Sequence, residues 1–357
     1  MFVKKLELSG FRNYKSEEFE FLPATNILYG NNAQGKTNAL EALYLFSIGK
    51  SFRTQQDREL INFDESYTRL CVEFDDAVRT NEIEIVIRRD RKKQIKINEI
   101  PISKMGDLIG KFCVILFSPD ELNLTKGSPN ARRKFLDIAL SQMRPKYYHI
   151  LRRYNKVLEQ RNNLIKKLRF TPDNTAKETL FVWNEKLAEY GMAIIEYRKN
   201  FVDKLYRFSK EIHQEISGEK FEIKYKTAFE TKDEFKEKLD NSIDKEIEQG
   251  FTLYGPHRDD FDIYTDGKDL KTYGSQGQHR SAVLALKLAQ ADMVYEDMGE
   301  YPVLLLDDIM SELDSERRAY LVGKIKNKQV IITCTDADET GITDGANLIH
   351  IDNGKVV

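Results

Sequence analysis

The sequence predicts an α/β fold that binds a nucleotide and is interrupted by a helical insertion. Residues 30–37 form a G-x-x-x-x-G-K-T phosphate loop between an apolar strand pattern and a helix pattern. From about residue 130 to 216 the apolar residues recur at helical spacing, and strand and helix patterns alternate again after residue 250. These three observations indicate a split α/β body with helices inserted between its two parts.

Short strands are predicted through the first 120 residues, where apolar runs are bounded by turn-forming residues. In this region only the segment that follows the phosphate loop has a clear helical pattern. The predicted strands are residues 3–8, 27–29, 70–74, 82–88, 94–97 and 113–117.

The phosphate loop is expected to bind the triphosphate of a nucleotide. Its glycines let successive backbone N–H groups turn toward the phosphates, and the helix that follows directs its N-terminus at the same anion. The ammonium group of Lys36 reaches the β- and γ-phosphates, which makes it a candidate catalytic residue, and the Thr37 hydroxyl ligates Mg²⁺. The candidate nucleotide-binding residues of the loop are Gly30, Asn31, Asn32, Ala33, Gln34, Gly35, Lys36 and Thr37.

Two long antiparallel helices are predicted in the insertion. Apolar residues recur every three or four positions over 151–168 and again over 183–212. A Thr-Pro-Asp-Asn run at 171–174 separates the two patterns, and a Ser-Gly pair at 217–218 ends the second. An arm and a helical subdomain packed against the body are equally compatible with this periodicity. The predicted domains are residues 1–122 and 250–357 for the body and 123–249 for the inserted arm.

The second half of the nucleotide site is predicted at the end of the apolar strand 303–306. This strand leads into Asp307 and Asp308, the pattern of a Walker B motif. Asp307 can hold Mg²⁺, and Asp308 can act as the catalytic group that polarises the attacking water. A buried strand that merely ends at an acidic turn is the structural alternative. A helix over 278–297 and a further buried strand over 330–332 complete this part of the body.

A tight turn, Gly-Ser-Gln-Gly at 274–277, opens the helix that precedes this strand. Such a turn would expose the N–H groups of the helix N-terminus and the hydroxyl of Ser275 to an anion. A Ser-Glu-Leu-Asp run at 311–314 follows the paired acids at short range.

Composition favours an intracellular protein of more than one structural body. The 357 residues exceed one typical domain, and 41% hydrophobic residues suffice for a core. Three scattered cysteines do not suit a metal–sulfur or redox motif. No apolar run is long enough to cross a membrane, and the first residues lack the apolar region of a signal peptide. We therefore expect a soluble, cytoplasmic protein that has no membrane partner.

The net charge of −2 hides a basic segment at residues 131–170, which has twelve Lys and Arg against two acids. This density is typical of helices that bind a phosphate backbone, and no base-reading motif accompanies it. A solvated face that is balanced by the acidic stretch 215–248 is the alternative. His257 with Asp259 and Asp260 is interpreted as a turn rather than a metal cluster. The candidate DNA-binding residues are Arg132, Arg133, Arg152, Arg153, Lys166 and Lys167.

Several of these motifs together resemble a known family. Residues 275–278, Ser-Gln-Gly-Gln, are similar to the signature loop of ABC-type ATPase heads, and residues 311–314 are similar to their D-loop. Within the SMC-like branch of these heads the chain most resembles the bacterial RecF family of recombinational repair proteins, over essentially its full length. The runs that carry this closer resemblance are Phe-Arg-Asn-Tyr at 11–14, Phe-Ser-Pro-Asp-Glu-Leu at 117–122 and Gly-Pro-His-Arg-Asp-Asp at 255–260.

The resemblance implies an ABC-type ATPase head with an inserted helical arm and an ATP-dependent, head-to-tail dimer. Ser275 of one subunit would contact the γ-phosphate held by Lys36 of the other, and Gln278 and Asp314 would also lie at the nucleotide. The resemblance further implies binding to gapped or duplex DNA, binding to RecR, and help in loading RecA at gapped DNA or stalled replication.

Two departures from the ABC pattern predict slow hydrolysis. Thr335 occupies the position of the usual switch histidine, and Asp308 occupies that of the usual catalytic Glu. A shorter acid without a histidine suits a switch better than a motor. Ser118 lies near the position where the glutamine of a Q-loop is expected. The ATPase subunit of a membrane transporter and an SMC-like nucleotide-gated scaffold are the rival functions.

Overall fold

The computed structural model describes residues 1–342 and 345–357. Its strands are β1 (Phe2–Phe11), β2 (Tyr14–Glu20), β3 (Thr25–Tyr29), β4 (Tyr67–Asp75), β5 (Thr80–Arg88), β6 (Gln94–Ile97), β7 (Ile100–Ile102), β8 (Val114–Phe117), β9 (Phe221–Lys226), β10 (Asp260–Thr265), β11 (Lys268–Asp269), β12 (Val303–Asp307), β13 (Val330–Cys334), β14 (Asn347–Asp352) and β15 (Lys355–Val356).

The helices alternate with these strands in the body and dominate the middle of the chain. They are α1 (Lys36–Ile48), α2 (Asn123–Lys126), α3 (Pro129–Met143), α4 (Pro145–Phe170), α5 (Asn174–Glu178), α6 (Leu180–Ser217), α7 (Lys232–Asn241), α8 (Ile243–Gln249), α9 (Leu270–Tyr273), α10 (Gln276–Met298) and α11 (Ser315–Ile325). Within the described residues, no helix is both long enough and apolar enough to cross a membrane.

The described residues form two compact units. The first contains Met1–Leu122, Glu211–Gly218 and Gln276–Val357, and the second contains Asn123–Lys210 and Glu219–Ser275. The functional domain limits given above stay a prediction.

A mainly parallel sheet in the first unit has the strand order β15-β14-β3-β13-β12-β8. β3, β13, β12 and β8 run parallel, so the loops at their carboxyl ends meet at one edge. The phosphate loop follows β3 and the paired acids end β12, with β13 between them. The sheet order therefore brings together two motifs that are about 270 residues apart in the sequence.

An antiparallel sheet of the same unit has the order β2-β1-β4-β5-β6-β7. Its apolar side chains share one core with the parallel sheet and with α1. Buried residues occur around the whole circumference of α1, as expected for a helix enclosed by other elements.

The two long helices are antiparallel as predicted, and α4 and the part of α6 up to Lys210 lie in the second unit. Arg161 in the second half of α4 donates to Asn184 early in α6 at 2.7 Å, whereas Arg198 at the middle of α6 donates to the Tyr147 hydroxyl early in α4 at 3.1 Å. α4 ends immediately before the predicted break, and α6 ends at Ser217. The second unit also contains the sheet β11-β10-β9.

Seven strands were not among those predicted from the sequence, namely β2, β7, β9, β10, β11, β14 and β15. β2 is rich in charged residues because it is an edge strand with exposed positions. β7 is three residues long and contains Pro101. β9 lies in the segment predicted to be helical, but Phe221 and Ile223 alternate with polar residues and it pairs with β10. The predicted strands and the helix at 278–297 are otherwise confirmed within a few residues.

Candidate nucleotide-binding site

The phosphate loop connects β3 to α1 through two glycines that no other residue could replace without strain. Gly30 has φ 141° and a Cβ there would lie 2.3 Å from the Ile351 carbonyl oxygen. Gly35 has φ 122° and its Cβ would lie 2.8 Å from the Tyr14 hydroxyl. Both conformations favour glycine, and both close approaches require the absence of a side chain. The loop is thus a backbone cradle of the kind that suits a polyphosphate.

Lys36 begins α1 and is almost fully buried, with 4% of its surface exposed. Its Nζ donates to the carbonyl oxygens of Gly30 at 2.6 Å and Asn31 at 2.9 Å. The ammonium group is therefore held over the first two residues of the loop, where a phosphate oxygen could take the place of a carbonyl partner.

The carboxylate of Asp307 joins the phosphate loop to the central strands. Asp307 Oδ1 accepts hydrogen bonds from Thr37 Oγ1 at 2.8 Å and from Thr333 Oγ1 at 2.9 Å. Burial raises the pKa of Asp307, and the two hydroxyl donors oppose that shift. A hydroxyl and a carboxylate side by side form the oxygen donor set that Mg²⁺ prefers when phosphate oxygens and water complete its shell.

Asp308 lies in the turn directly after β12. Its backbone has φ 50°, its N–H donates to Thr333 Oγ1 at 2.9 Å, and its carbonyl accepts from Ser311 Oγ at 2.9 Å. Asp tolerates this left-handed conformation better than most residues. Thr333 thus contacts both acids, a role that the sequence did not reveal.

The turn between β14 and β15 fixes the phosphate loop from the C-terminal end of the chain. The carbonyl oxygen of Gln34 accepts from Gly354 N at 3.0 Å and from Asn13 Nδ2 at 2.8 Å, and its side-chain Oε1 accepts from Asn353 N. Tyr14 OH donates to the Gly35 carbonyl at 2.9 Å. Residues from both ends of the chain therefore hold the loop.

Arg12 links the N-terminal part of the chain to α1. Its guanidinium donates to both carboxylate oxygens of Glu41, at 2.9 and 2.7 Å, and Glu41 is fully buried. Asn38 Nδ2 donates to Asn13 Oδ1 at 2.8 Å on the same side. The Phe-Arg-Asn-Tyr run at 11–14 could be found by family resemblance, but its contacts with the loop could not.

The substitution Gly354→Ala is expected to weaken the binding of a fluorescent ATP analogue by about tenfold, which corresponds to ~1.4 kcal/mol. Gly354 has φ 71°, and a Cβ there would lie 2.6 Å from the Asn13 carbonyl oxygen, so the turn and the loop must shift. Gly341→Ala is the matched control, because Gly341 has φ 67° but open space around its Cβ position. Equal affinity in both variants would mean that this turn does not support the loop.

Ser275 is exposed and directly precedes α10, so it lies at the N-terminus of a long helix as predicted from the turn. Gln278 is half-buried in the first turn of that helix. Roles for both at a nucleotide of another subunit stay predictions.

Arg317, which the sequence did not single out, connects the run 311–314 with α10. Asp314 caps α11 by accepting from Arg317 N at 2.9 Å, and this hydrogen bond lowers the pKa of Asp314. The Arg317 side chain pairs with Asp314 and donates to Ser281 Oγ at 2.8 Å. A Cβ on Gly277 would lie 3.3 Å from this guanidinium, so the glycine leaves room for it.

Thr335, at the position of the usual switch histidine, and Ser118, near the expected Q-loop glutamine, both have local environments in the structure. Thr335 Oγ1 donates to Glu339 Oε2 at 3.2 Å, and Ser118 is buried at the end of β8. Neither contact assigns a catalytic role.

The geometry of Arg132 argues against the predicted DNA contact. This side chain is 4% exposed and its guanidinium donates to both oxygens of Asp260, at 2.6 and 2.8 Å. Arg133 is half-buried and donates to the Asp259 carbonyl at 2.8 Å. Arg132 is therefore not placed to contact DNA, because its donors are used inside the second unit.

Four of the candidate cations, together with Lys156, form an exposed basic face on α4. Arg152, Arg153, Lys156, Lys166 and Lys167 are exposed, and in the described part of the chain none has a carboxylate partner within 4.0 Å. Their helical positions lie opposite the buried stripe, which consists of Tyr154, Val157, Arg161, Ile165 and Leu168.

Three acids of the stretch 215–248 pair with cations that lie outside this face. Glu246 pairs with the buried Arg161 at 2.6 Å, Asp244 pairs with Lys177, and Asp240 pairs with Lys236. These three acids therefore do not neutralise the exposed cations of α4.

His257 is part of a buried hydrogen-bond network. Its Nδ1 is 2.6 Å from the Tyr154 hydroxyl, and burial lowers the pKa of the imidazole to about 4. Across residues 1–342 and 345–357, no group of three or more potential metal ligands is present. The Gly-Pro-His-Arg-Asp-Asp run at 255–260 thus makes contacts within the second unit.

Comparisons with known proteins agree with this fold and site. The family model described as RecF/RecN/SMC N terminal domain matches residues 2–353. The chain is 42% identical over 366 residues to the DNA replication and repair protein RecF of Clostridium perfringens, covering 100% of this chain and 99% of that protein. It is 44% identical over 364 residues to the protein of the same name from Clostridium kluyveri, with the same coverage.

Solved structures give the same result. The recombination mediator protein RecF-ATPrS in the RecFOR pathway superposes with a TM-score of 0.92 at 37% identity, covering 99% of this chain and 97% of that chain. A structure of RecF-ATP in the same pathway has a TM-score of 0.91 at 36% identity, with 100% and 97% covered. The SmcHead bound to the C-winged helix domain of ScpA matches at a TM-score of 0.59 and 16% identity, over 100% and 97% of the two chains, a likeness of fold alone. The predicted α/β fold of an ABC-type ATPase head is confirmed.

Proposed function

We propose that this chain is an ATP-gated DNA-binding switch. It belongs to the RecF/RecN/SMC family and, within that family, to the RecF proteins of DNA replication and repair. The observation that carries the proposal is the convergence of Lys36, Thr37 and Asp307 at one edge of the sheet. The exposed basic face of α4 supports the DNA-binding part.

The nucleotide is proposed to be ATP, as in the RecF structures named above. The N–H groups of residues 30–37 and the Lys36 ammonium would bind the phosphates. Thr37 and Asp307 would hold Mg²⁺, which when bound neutralises charge that develops on the phosphates. Thr333 orients the Asp307 carboxylate for this task, because it donates to the same oxygen as Thr37.

Hydrolysis is proposed to be slow. Asp308 would orient the attacking water, but its side chain is one methylene shorter than the usual Glu. Thr335 stands where a histidine is usual, and its hydroxyl is directed to Glu339. If hydrolysis is slow, the ATP-bound state of the protein would persist until the nucleotide is hydrolysed.

The ATP-bound state is proposed to be a head-to-tail dimer. Ser275, Gln278 and Asp314 of one subunit would contact the nucleotide that Lys36 of the other subunit holds. The exposure of Ser275 and Asp314 supports this, since a residue that acts on another subunit must be accessible in the single chain.

DNA is proposed to be held through its backbone, without base-specific contacts, by Arg152, Arg153, Lys166 and Lys167, with Arg133 a weaker candidate. We further propose cooperation with RecR and help in loading RecA at gapped DNA. Membership of the RecF proteins supports these two partners.

Sedimentation with ATP, with ADP and without nucleotide, each with and without duplex DNA, tests the switch. Dimerisation and DNA binding that both require ATP would support it, whereas DNA binding that is equal in all three nucleotide states would contradict it. Steady-state phosphate release with and without DNA separates a switch from a scaffold that has no turnover.

Neutralising Arg152, Arg153, Lys166 and Lys167 together with glutamine should weaken binding to duplexes of any sequence. Each lost phosphate contact should reduce the slope of log affinity against log salt by about 0.9. The matched control replaces Lys177, Lys186, Lys199 and Lys232, which lie in the same unit but pair with carboxylates. If both quadruple variants show the same affinity and salt slope, the face of α4 is only a solvated surface.

A further inference from the structure

One aromatic residue interrupts the basic face of α4 at its C-terminal end. Phe170 is 81% exposed and is the last residue of the helix. It lies 18 positions after Arg152, which is about five helical turns. It also follows Lys166 by four positions and Lys167 by three, so all of these side chains share one face. A large apolar ring thus lies among the cations that would hold a phosphate backbone.

The ring is part of a wider apolar tip of the helix pair. At the start of α6, Phe181 is 47% exposed and Val182 is 67% exposed. Leu168 of α4 and Leu180 of α6 share one buried cluster, which brings these two helix ends together. We call Phe170, Phe181 and Val182 the apolar tip.

Cations also border the ring itself. The Arg169 guanidinium lies 5.9 Å from the centroid of the Phe170 ring. The apolar tip is therefore flanked by Lys166, Lys167 and Arg169. These cations disfavour a basic or purely apolar partner. They favour a ligand that carries both negative charge and a flat aromatic surface. A nucleotide strand has both.

We propose that Phe170 stacks on an unpaired nucleobase while the basic face of α4 holds the adjoining backbone. The proposal rests on the proposed DNA-binding function and adds the residue by which this chain would distinguish gapped DNA from a continuous duplex. Inside a continuous duplex the faces of the bases are covered by their neighbours, so Phe170 has nothing to stack on there. At a gap an unpaired base is free to do so, and stacking tolerates any base because each has a π-face.

The test compares a continuous duplex with the same duplex that contains a short single-stranded gap, using the full chain and a non-hydrolysable ATP analogue. Phe170→Ala is expected to lose about tenfold in affinity for the gapped DNA, within the range that base stacking contributes, and little for the continuous duplex. Phe170→Leu should behave like Phe170→Ala, whereas Phe170→Trp should keep the affinity. A 2-aminopurine base in the gap should be quenched by the parent chain and by the Trp variant only.

Phe63→Ala is the control, since Phe63 is 99% exposed but lies in the first unit. Full affinity of Phe170→Leu for gapped DNA would overturn stacking and indicate an apolar partner instead. Equal losses of Phe170→Ala on both DNAs would overturn the preference for unpaired bases. If instead the parent chain binds neither DNA, the proposed DNA-binding function itself fails, which is a different result.

Discussion

ATP binding is expected to weaken by about 100-fold or more when Lys36 is replaced with alanine. The buried ammonium group already donates to two carbonyl oxygens of the loop, so it is placed to donate to two phosphate oxygens. A hydrogen bond to a charged group contributes roughly 1.5–3 kcal/mol, and no other side chain of the loop carries a positive charge. Titration with a fluorescent ATP analogue measures the change.

Two controls isolate the role of the charge. Lys50→Ala removes an exposed lysine shortly after α1 and should leave affinity unchanged. Lys36→Arg is expected to keep binding but lose turnover, because a planar guanidinium does not fit the position of an ammonium group. Unchanged affinity in Lys36→Ala would remove the assignment of the phosphate loop.

Ser275→Arg should abolish ATP-driven dimerisation while leaving ATP binding by the single chain unaffected. In the proposed dimer this residue faces the nucleotide of the other subunit, and a bulky, unpaired charge at a closely packed interface costs several kcal/mol. That cost corresponds to a dimer that is about 100-fold weaker or more, and DNA binding that depends on the dimer should fall with it. Ser66→Arg, at another exposed serine, is the matched control.

A mixture of the Ser275→Arg and Lys36→Ala proteins tests the head-to-tail arrangement further. A head-to-tail dimer has two composite sites, and the mixed dimer places both defects in one site and leaves the other intact. ATPase activity should therefore recover in part in the mixture, although each variant alone is inactive. A Ser275→Arg protein that still dimerises with ATP in sedimentation would rule out a signature loop that acts on the other subunit.

Local sequence patterns were sufficient for the elements around the site. The run at 30–37 specifies its own conformation, because glycines at 30 and 35 permit the positive φ angles that the loop needs. The apolar run that ends in Asp307 likewise specifies a buried strand with acids at its end. Such features depend on residues that are neighbours in the chain.

The basic segment shows what charge composition can and cannot predict about a surface. Twelve cations in forty residues predicted one surface, but burial separates them into two groups. Arg132 and Arg161 are buried in pairs with Asp260 and Glu246, whereas Arg152 and Lys166 are exposed. Helical spacing could indicate which face of α4 is polar, but not which acid from elsewhere would neutralise a cation.

The sequence alone determined the phosphate loop, the paired acids, the helical insertion and the family. Only the tertiary structure decided that Thr333 orients Asp307, that Asn13 and Gly354 hold Gln34, and that Arg132 is unavailable to DNA. The physical reason is the range of the interactions. Backbone conformation and hydrophobic periodicity depend on neighbours along the chain, whereas a hydrogen bond between residues 21 or 320 positions apart depends on how the sheets pack.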